Sequence, residues 1–188
     1  MQRKQAKKRK LLAAIEYQKD FDIDGLLDTV ALNLKARGNY LAGYTQYEVK
    51  DPKGRCPVMK LRNLKTDETA RISQAMGMES RGCRMDAGAL AEFSGKLVNE
   101  LEPTIQLLII NRFGKAETEG HGFRNVIEKA FAMEIPILTT VRAPYVEGWY
   151  SFCGELGETL PTIPYDILNW FDEINLEENT LVTMEMQF

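Results

Sequence analysis

Three observations predict an α/β fold with a mostly parallel sheet and helices on both of its faces. Two runs, "TIQLLII" (104–110) and "IPILTTV" (135–141), are apolar without alternation, the pattern of strands buried on both sides. Strand-like runs take turns along the chain with segments of helical period, the order that builds crossovers between parallel strands. One segment, "VMKLRNLKTDETARIS" (58–73), instead alternates apolar and polar residues about a "KTDE" turn. It predicts an antiparallel β-hairpin at the sheet edge.

The elements follow in order. "LLAAIEY" (11–17) reads as a buried strand. Residues 25–38 read as a helix with Leu26, Leu27, Val30, Ala31 and Leu34 on one face and Gly38 placed to cap it. "YLAGYTQYEV" (40–49) is a second strand, completing a crossover unit. "DPKGRCP" (51–57) is a turn cluster ahead of the hairpin. After a loop, Asp86 is placed to cap a helix running to about Leu101, with Leu90, Phe93, Leu97, Val98 and Leu101 inward. The strand at 104–110 leads into a long charged loop, 111–122. A helix then buries Phe123, Val126, Ile127, Ala130 and Phe131. Beyond the strand at 135–141, "YVEGWYSFCGEL" predicts a helix that brings Trp149, Phe152 and Leu156 together, and "PYDILNWFDEI" (164–174) a short last helix. The organisation expected is a basic arm (1–10), one domain (11–175) and a tail (176–188) that adds an edge strand or contacts a partner.

Composition narrows the function classes. The 188 residues, 44% hydrophobic and 27% charged, suit one domain with a proper core. No apolar run approaches a membrane span, and "MQRKQAKKRK" has no apolar centre of a secretory signal. Cys56, Cys83 and Cys153 are sparse and odd in number, as expected of reduced thiols in a cytoplasm. The net charge of −3 conceals six basic residues among the first ten, without which the body carries −9. An acidic body argues against a dedicated nucleic-acid surface; only weak contact through Arg3–Lys10 is expected.

In such folds ligands bind beyond the C-terminal ends of the strands. That singles out loops 18–24, 111–122 and 142–145, with 74–85 beside them. "KDFDIDGLLD" (19–28) has the opening of a calcium loop in Asp20, Asp22, Asp24, Gly25 and Leu27, but Ala31 stands where the closing bidentate carboxylate belongs. It also sits where a phosphate-binding loop would, yet has one glycine, three aspartates and no G-K-[ST]. A capped helix start, through Asp22 or Asp24, explains it best. The loop after the central strand gathers Asn111, Arg112, Lys115, Glu117, Glu119, His121 and Arg124, a set able to bind an anion or, through Glu117 or Glu119, to move a proton. "ESRGCRMDAG" (79–88) sets Arg81, Gly82, Cys83 and Arg84 ahead of a helix start, which suits an oxyanion.

"SRGCRMDAGAL", "LLIINRFGKAETEGHGFR" and "IPILTTV", in that order, resemble a bacterial family catalogued as a domain of unknown function; the likeness runs from about Leu11 to Leu160. That family is similar in layout to small P-loop nucleoside-triphosphatases, in which an acid pair stands where Asn111-Arg112 stand here. The resemblance implies a P-loop-like fold without its Walker A and Walker B residues, and physiology near molybdate transport or other metal assimilation. The resulting expectation is a non-hydrolytic accessory or binding protein. Arg81, Arg84, Arg112 and Lys115 would hold an anion or nucleotide or an acidic protein partner. The competing expectations are a magnesium-dependent nucleotide hydrolase or phosphotransferase, with Asp20, Asp22 and Asp24 around the cation, and a molybdate-type oxyanion binder.

Overall fold

A computed structural model describes residues 10–50, 57–73 and 85–185, with side chains as far as residue 176. The elements are β1 (Leu12–Tyr17), α1 (Ile23–Ala36), β2 (Leu41–Val49), β3 (Val58–Asn63), β4 (Thr69–Arg71), α2 (Ala87–Glu100), β5 (Leu107–Phe113), α3 (Lys115–Thr118), α4 (Arg124–Ala132), β6 (Ile137–Arg142), α5 (Val146–Cys153), β7 (Gly157–Leu160) and α6 (Pro164–Glu185). The described strands form one sheet in the order β4-β3-β2-β5-β6-β1-β7. From β2 to β7 every neighbour is parallel; β3 and β4 add the antiparallel edge hairpin that the alternation at 58–73 predicts.

Two apolar layers hold the sheet. On one face α1 and α6 cover Ala13, Ile15, Leu107, Ile109 and Leu138; on the other, α2, α4 and α5 cover Ala14, Leu108, Ile110, Ile137 and Val141. Leu107, Leu108, Ile109 and Ile110 are all buried, which is why β5 shows no alternation in sequence. Helix α1 presents the expected face and ends in a Schellman-type turn. Gly38, at φ +86°, donates to the Lys35 carbonyl, and Asn39 donates to that of Leu34. Asp86 caps α2 by accepting from the Gly88 and Ala89 amides.

Three expectations change, and one strand was not foreseen. Residues 111–122 are not one loop: β5 runs on to Phe113, and a single helical turn, α3, follows. Leu156 is 59% exposed and does not join Trp149 and Phe152, because α5 ends at Cys153 with Gly154 at φ +52°. The short, half-polar "GETL" forms β7 by pairing with β1, which its composition does not announce. The last helix does not stop at Ile174 but continues to Glu185; no Gly or Pro interrupts it, and through that residue the tail is helix instead of an edge strand.

Lys10 belongs to the fold as well. Its amide donates to Glu158, its Nζ to the Gly157 carbonyl, and its own carbonyl accepts from Trp170 Nε1. The rest of the basic arm, Cys56, and the Arg81-Gly82-Cys83-Arg84 group lie outside the described residues. None of the described helices is long and apolar enough to cross a membrane.

Candidate functional site

β2 pairs with β5 only as far as Tyr44 and Ile110, whereas its pairing with β3 continues to Val49. Past that point the strands diverge at their C-terminal ends. A cleft of about 650 Å³ opens there, where ligands of parallel sheets bind. Gln46, Leu61 and Ile72 line one side, Asn111 to Glu117 and Phe123 the other, and Tyr17, Arg142 and Tyr145 the rim.

The end of β5 is irregular. Its register with β6 breaks between Ile110 and Phe113, so Asn111 and Arg112 form a bulge, and Arg112 sits at φ +86°. Such a conformation is uncommon for a residue with a side chain, and bulges beside sites re-aim what they carry. The bulge directs both side chains at α1. Asn111 Nδ2 donates to Asp24 Oδ1 at 2.8 Å, and one Arg112 guanidinium nitrogen meets both Asp24 oxygens at 3.2 and 3.0 Å. Thr140 Oγ1 donates to Asn111 Oδ1 and fixes its amide.

The β1–α1 connection occupies the phosphate-loop position, but the chain's own groups satisfy the start of the helix. Asp22 is the N-cap and accepts from the Gly25 amide at 3.0 Å, while the Ile23 amide donates to the Phe21 carbonyl. Asp24 adds a carboxylate in the first turn. The positive end of α1 is thereby neutralised from within. Asp20, Asp22 and Asp24 do not converge: among the described residues no three His, Cys, Asp or Glu side chains stand close enough to share a metal ion. Magnesium held by these three is therefore not what the geometry offers.

Glu117 is a brace rather than a free base. It is 4% exposed, and its two oxygens accept from the Gly114 and Phe123 amides at 2.9 and 3.0 Å. Gly122, at φ +63°, lies against this carboxylate so closely that a Cβ there would overlap Oε1. The brace folds 114–123 into a compact turn and leaves Lys115 and Glu119 exposed and paired at 3.7 Å.

The described site residues divide. Asn111, Arg112, Lys115, Glu117 and Glu119 line the cleft. His121 and Arg124 do not. Arg124 turns to the far side, where it pairs with Glu128 and lies 4.7 Å over the Phe152 ring.

Sequence reasoning passed over Tyr17, Gln46, Arg142 and Tyr145. Burial raises the Tyr17 phenol above its ordinary range, while the charges of Arg112 and Arg142 pull the other way and that of Asp24 adds to the rise. Gln46 is 2% exposed, and its Nε2 has no hydrogen-bond partner. The signal was present: Gln46 shares the inward phase of β2 with Tyr44, where an apolar residue is the norm. Arg142 ends an apolar strand at the ligand side of the sheet, within one of the loops already singled out.

The relatives agree with the fold. THEP1 from the hyperthermophile Aquifex aeolicus superimposes with a TM-score of 0.57 at 12% identity, over 87% of this chain and 96% of that one. The fold is thus P-loop NTPase-like, with the antiparallel hairpin added. The molybdenum import ATP-binding protein ModC 2 of Bradyrhizobium diazoefficiens is 36% identical over 150 residues. That match takes in 79% of this chain but only 17% of the relative's length. The model of the family described as Protein of unknown function (DUF2478) matches residues 12–170, and the chain belongs to that family.

Proposed function

We propose that the chain is a non-hydrolytic binding module on a P-loop NTPase-like scaffold, whose cleft takes an anion or an acidic group of a protein partner. One observation carries this reading: the ion pair between Asp24 and Arg112 reverses the charges that nucleotide hydrolysis needs. A phosphate-binding helix start must offer free amides and a cation, and the facing strand must offer an acid that orders magnesium or water. Here the helix start offers a carboxylate and the strand end a guanidinium. The anion therefore meets Arg112, Lys115 and Arg142 in the cleft, not the start of α1.

The match to a small share of a much longer protein named for ATP binding in molybdenum import supports a part that accompanies an ATP-binding unit. It also favours a second version of the same reading, in which the anion is molybdate. Two measurements decide. Phosphate release from ATP or GTP with magnesium should not exceed the buffer rate; turnover that disappears in Glu119→Gln would overturn the non-hydrolytic reading. Calorimetry with molybdate, tungstate, sulfate, phosphate and ATP should show heat for at least one of them, lost in Arg142→Ala. Heat for molybdate and tungstate alone selects the molybdate version.

A further inference from the structure

We infer that the cleft is built for an organic anion with a flat body and a carbonyl-type acceptor, rather than for a bare inorganic oxyanion. This deepens the binding reading above and rests on it. The first ground is size. The cleft measures about 650 Å³, within the range of small-molecule sites. A tetrahedral oxyanion fills only a few water volumes, roughly 100 Å³. The second ground is the wall. Leu61, Ile72, Leu90, Phe113, Phe123 and Tyr145, from both sides and the rim, give the cleft an apolar and aromatic lining that no inorganic anion would use.

The third ground is the pair of donors left over. Gln46 is almost wholly buried, yet its Nε2 is unpartnered and the residue lines this cleft. Buried amide donors are nearly always satisfied, so an orphan in a cleft wall marks the place of an acceptor that a ligand brings. Arg112 repeats the pattern: Asp24 engages one terminal nitrogen while Nε is buried without a partner. The carboxylates nearby are already committed, Asp24 to Arg112, Glu119 to Lys115 and Glu117 to two amides. Arg142 appears in none of the ion pairs among the described residues and touches the Tyr145 ring. The ligand's body lies on the apolar wall with its acceptor toward Gln46, and its charge faces Arg142 and Arg112.

Calorimetry with orotate, phenyl phosphate, inorganic phosphate and molybdate tests this, on the wild type and on Gln46→Leu and Gln46→Met. Orotate should bind at least tenfold more tightly than either inorganic anion. Both variants should lose most of that preference while their melting temperature stays level or rises, because an unsatisfied buried donor has been removed. An orphan filled only by water predicts no change in any affinity. That result, or inorganic anions binding as tightly as orotate, overturns the inference and leaves the binding reading standing. If none of the four anions binds, the inference fails, and the titrations with ATP, tungstate and sulfate decide the binding reading separately. Should one Gln46 variant not fold, the other carries the comparison.

Discussion

Asp24, in the first turn of α1, and Arg112, at the bulged end of β5, are 88 residues apart in sequence and joined at 3.0 Å in the fold. Their side chains are 20% and 37% exposed, so the pair is neither a surface bridge nor a dry one. It binds the helix start to the central strand and offsets part of the positive charge that Arg112 brings to the cleft.

Asp24→Asn should therefore move two properties in opposite directions. The asparagine oxygen can still accept from Asn111, but the charge that restrains Arg112 is gone. Stability should fall by about 1 kcal/mol, between the values for exposed and buried pairs. Affinity for the anion of the cleft should rise several-fold, because a carboxylate has left and a guanidinium is released. Denaturant titration and calorimetry on the same preparation measure both. A drop in affinity would mean that Asp24 helps the ligand bind, against the charge-reversal argument.

Glu117→Gln should cost about 1–3 kcal/mol, the penalty of leaving one buried amide unsatisfied, since a glutamine has one acceptor oxygen where the carboxylate has two. The loss should appear in the unfolding midpoint and in faster amide exchange over 114–123. Glu119→Gln, on an exposed side chain, should change neither by a measurable amount. If the two variants unfold alike, Glu117 is not the brace that its hydrogen bonds describe.

How far the sequence foretold this arrangement depends on which signals are local. Burial on both faces makes β5 and β6 apolar runs, and the capping by Asp22, Asp86 and Gly38 is written in short-range chemistry. The cleft is different. It arises where β2 and β5 part company, a relation between strands more than sixty residues apart. The bulge that sets Arg112 at φ +86° has no residue signature of its own. Glu117 looks like any charged loop residue until Gly122 and Phe123 fold back on it. Gathering all the cations of one loop into one site assumed that a loop faces one way. α3 and α4 instead send Lys115 and Arg124 to opposite sides.

Gly43 makes a sharper test of that strand geometry. It sits at φ +108°, and a Cβ there would overlap the Ile109 carbonyl oxygen. The close approach of β2 to β5 depends on it. Gly43→Ala should destabilise by about 3 kcal/mol or more, from backbone strain together with the displaced strand. Gly95→Ala, on α2 with open space around it, should be neutral or slightly stabilising. Thermal melts of the two variants side by side check the contrast.

Cys153 predicts a pH effect. It is 4% exposed, and burial raises its thiol above the ordinary range. A raised pKa means that the folded chain keeps this proton after the unfolded chain has lost it. Its contribution is therefore complete below the unfolded thiol's pKa of about 8.5 and is lost as the pH climbs past it. Alkylation by iodoacetamide, mapped by mass spectrometry, should leave Cys153 unmodified at pH 8 and reach it only on unfolding. Rapid labelling of the native chain at pH 8 would contradict the burial.

Arg142 and Lys115 separate a binding cation from a solvated one. Both line the cleft, but the Lys115 side chain is 73% exposed and shares its charge with Glu119, whereas Arg142 packs on Tyr145 at the rim. A hydrogen bond to a charged group contributes about 1.5–3 kcal/mol when its surroundings are partly dry, and little when water competes. Arg142→Ala should weaken anion binding about tenfold or more and flatten its salt dependence. Lys115→Ala should weaken it less than threefold. Neither should shift the melting temperature by more than about 2 °C, since neither side chain holds the core together. Calorimetry at two salt concentrations reads the difference, and equal losses from the two variants would place the anion out over α3 instead of inside the cleft.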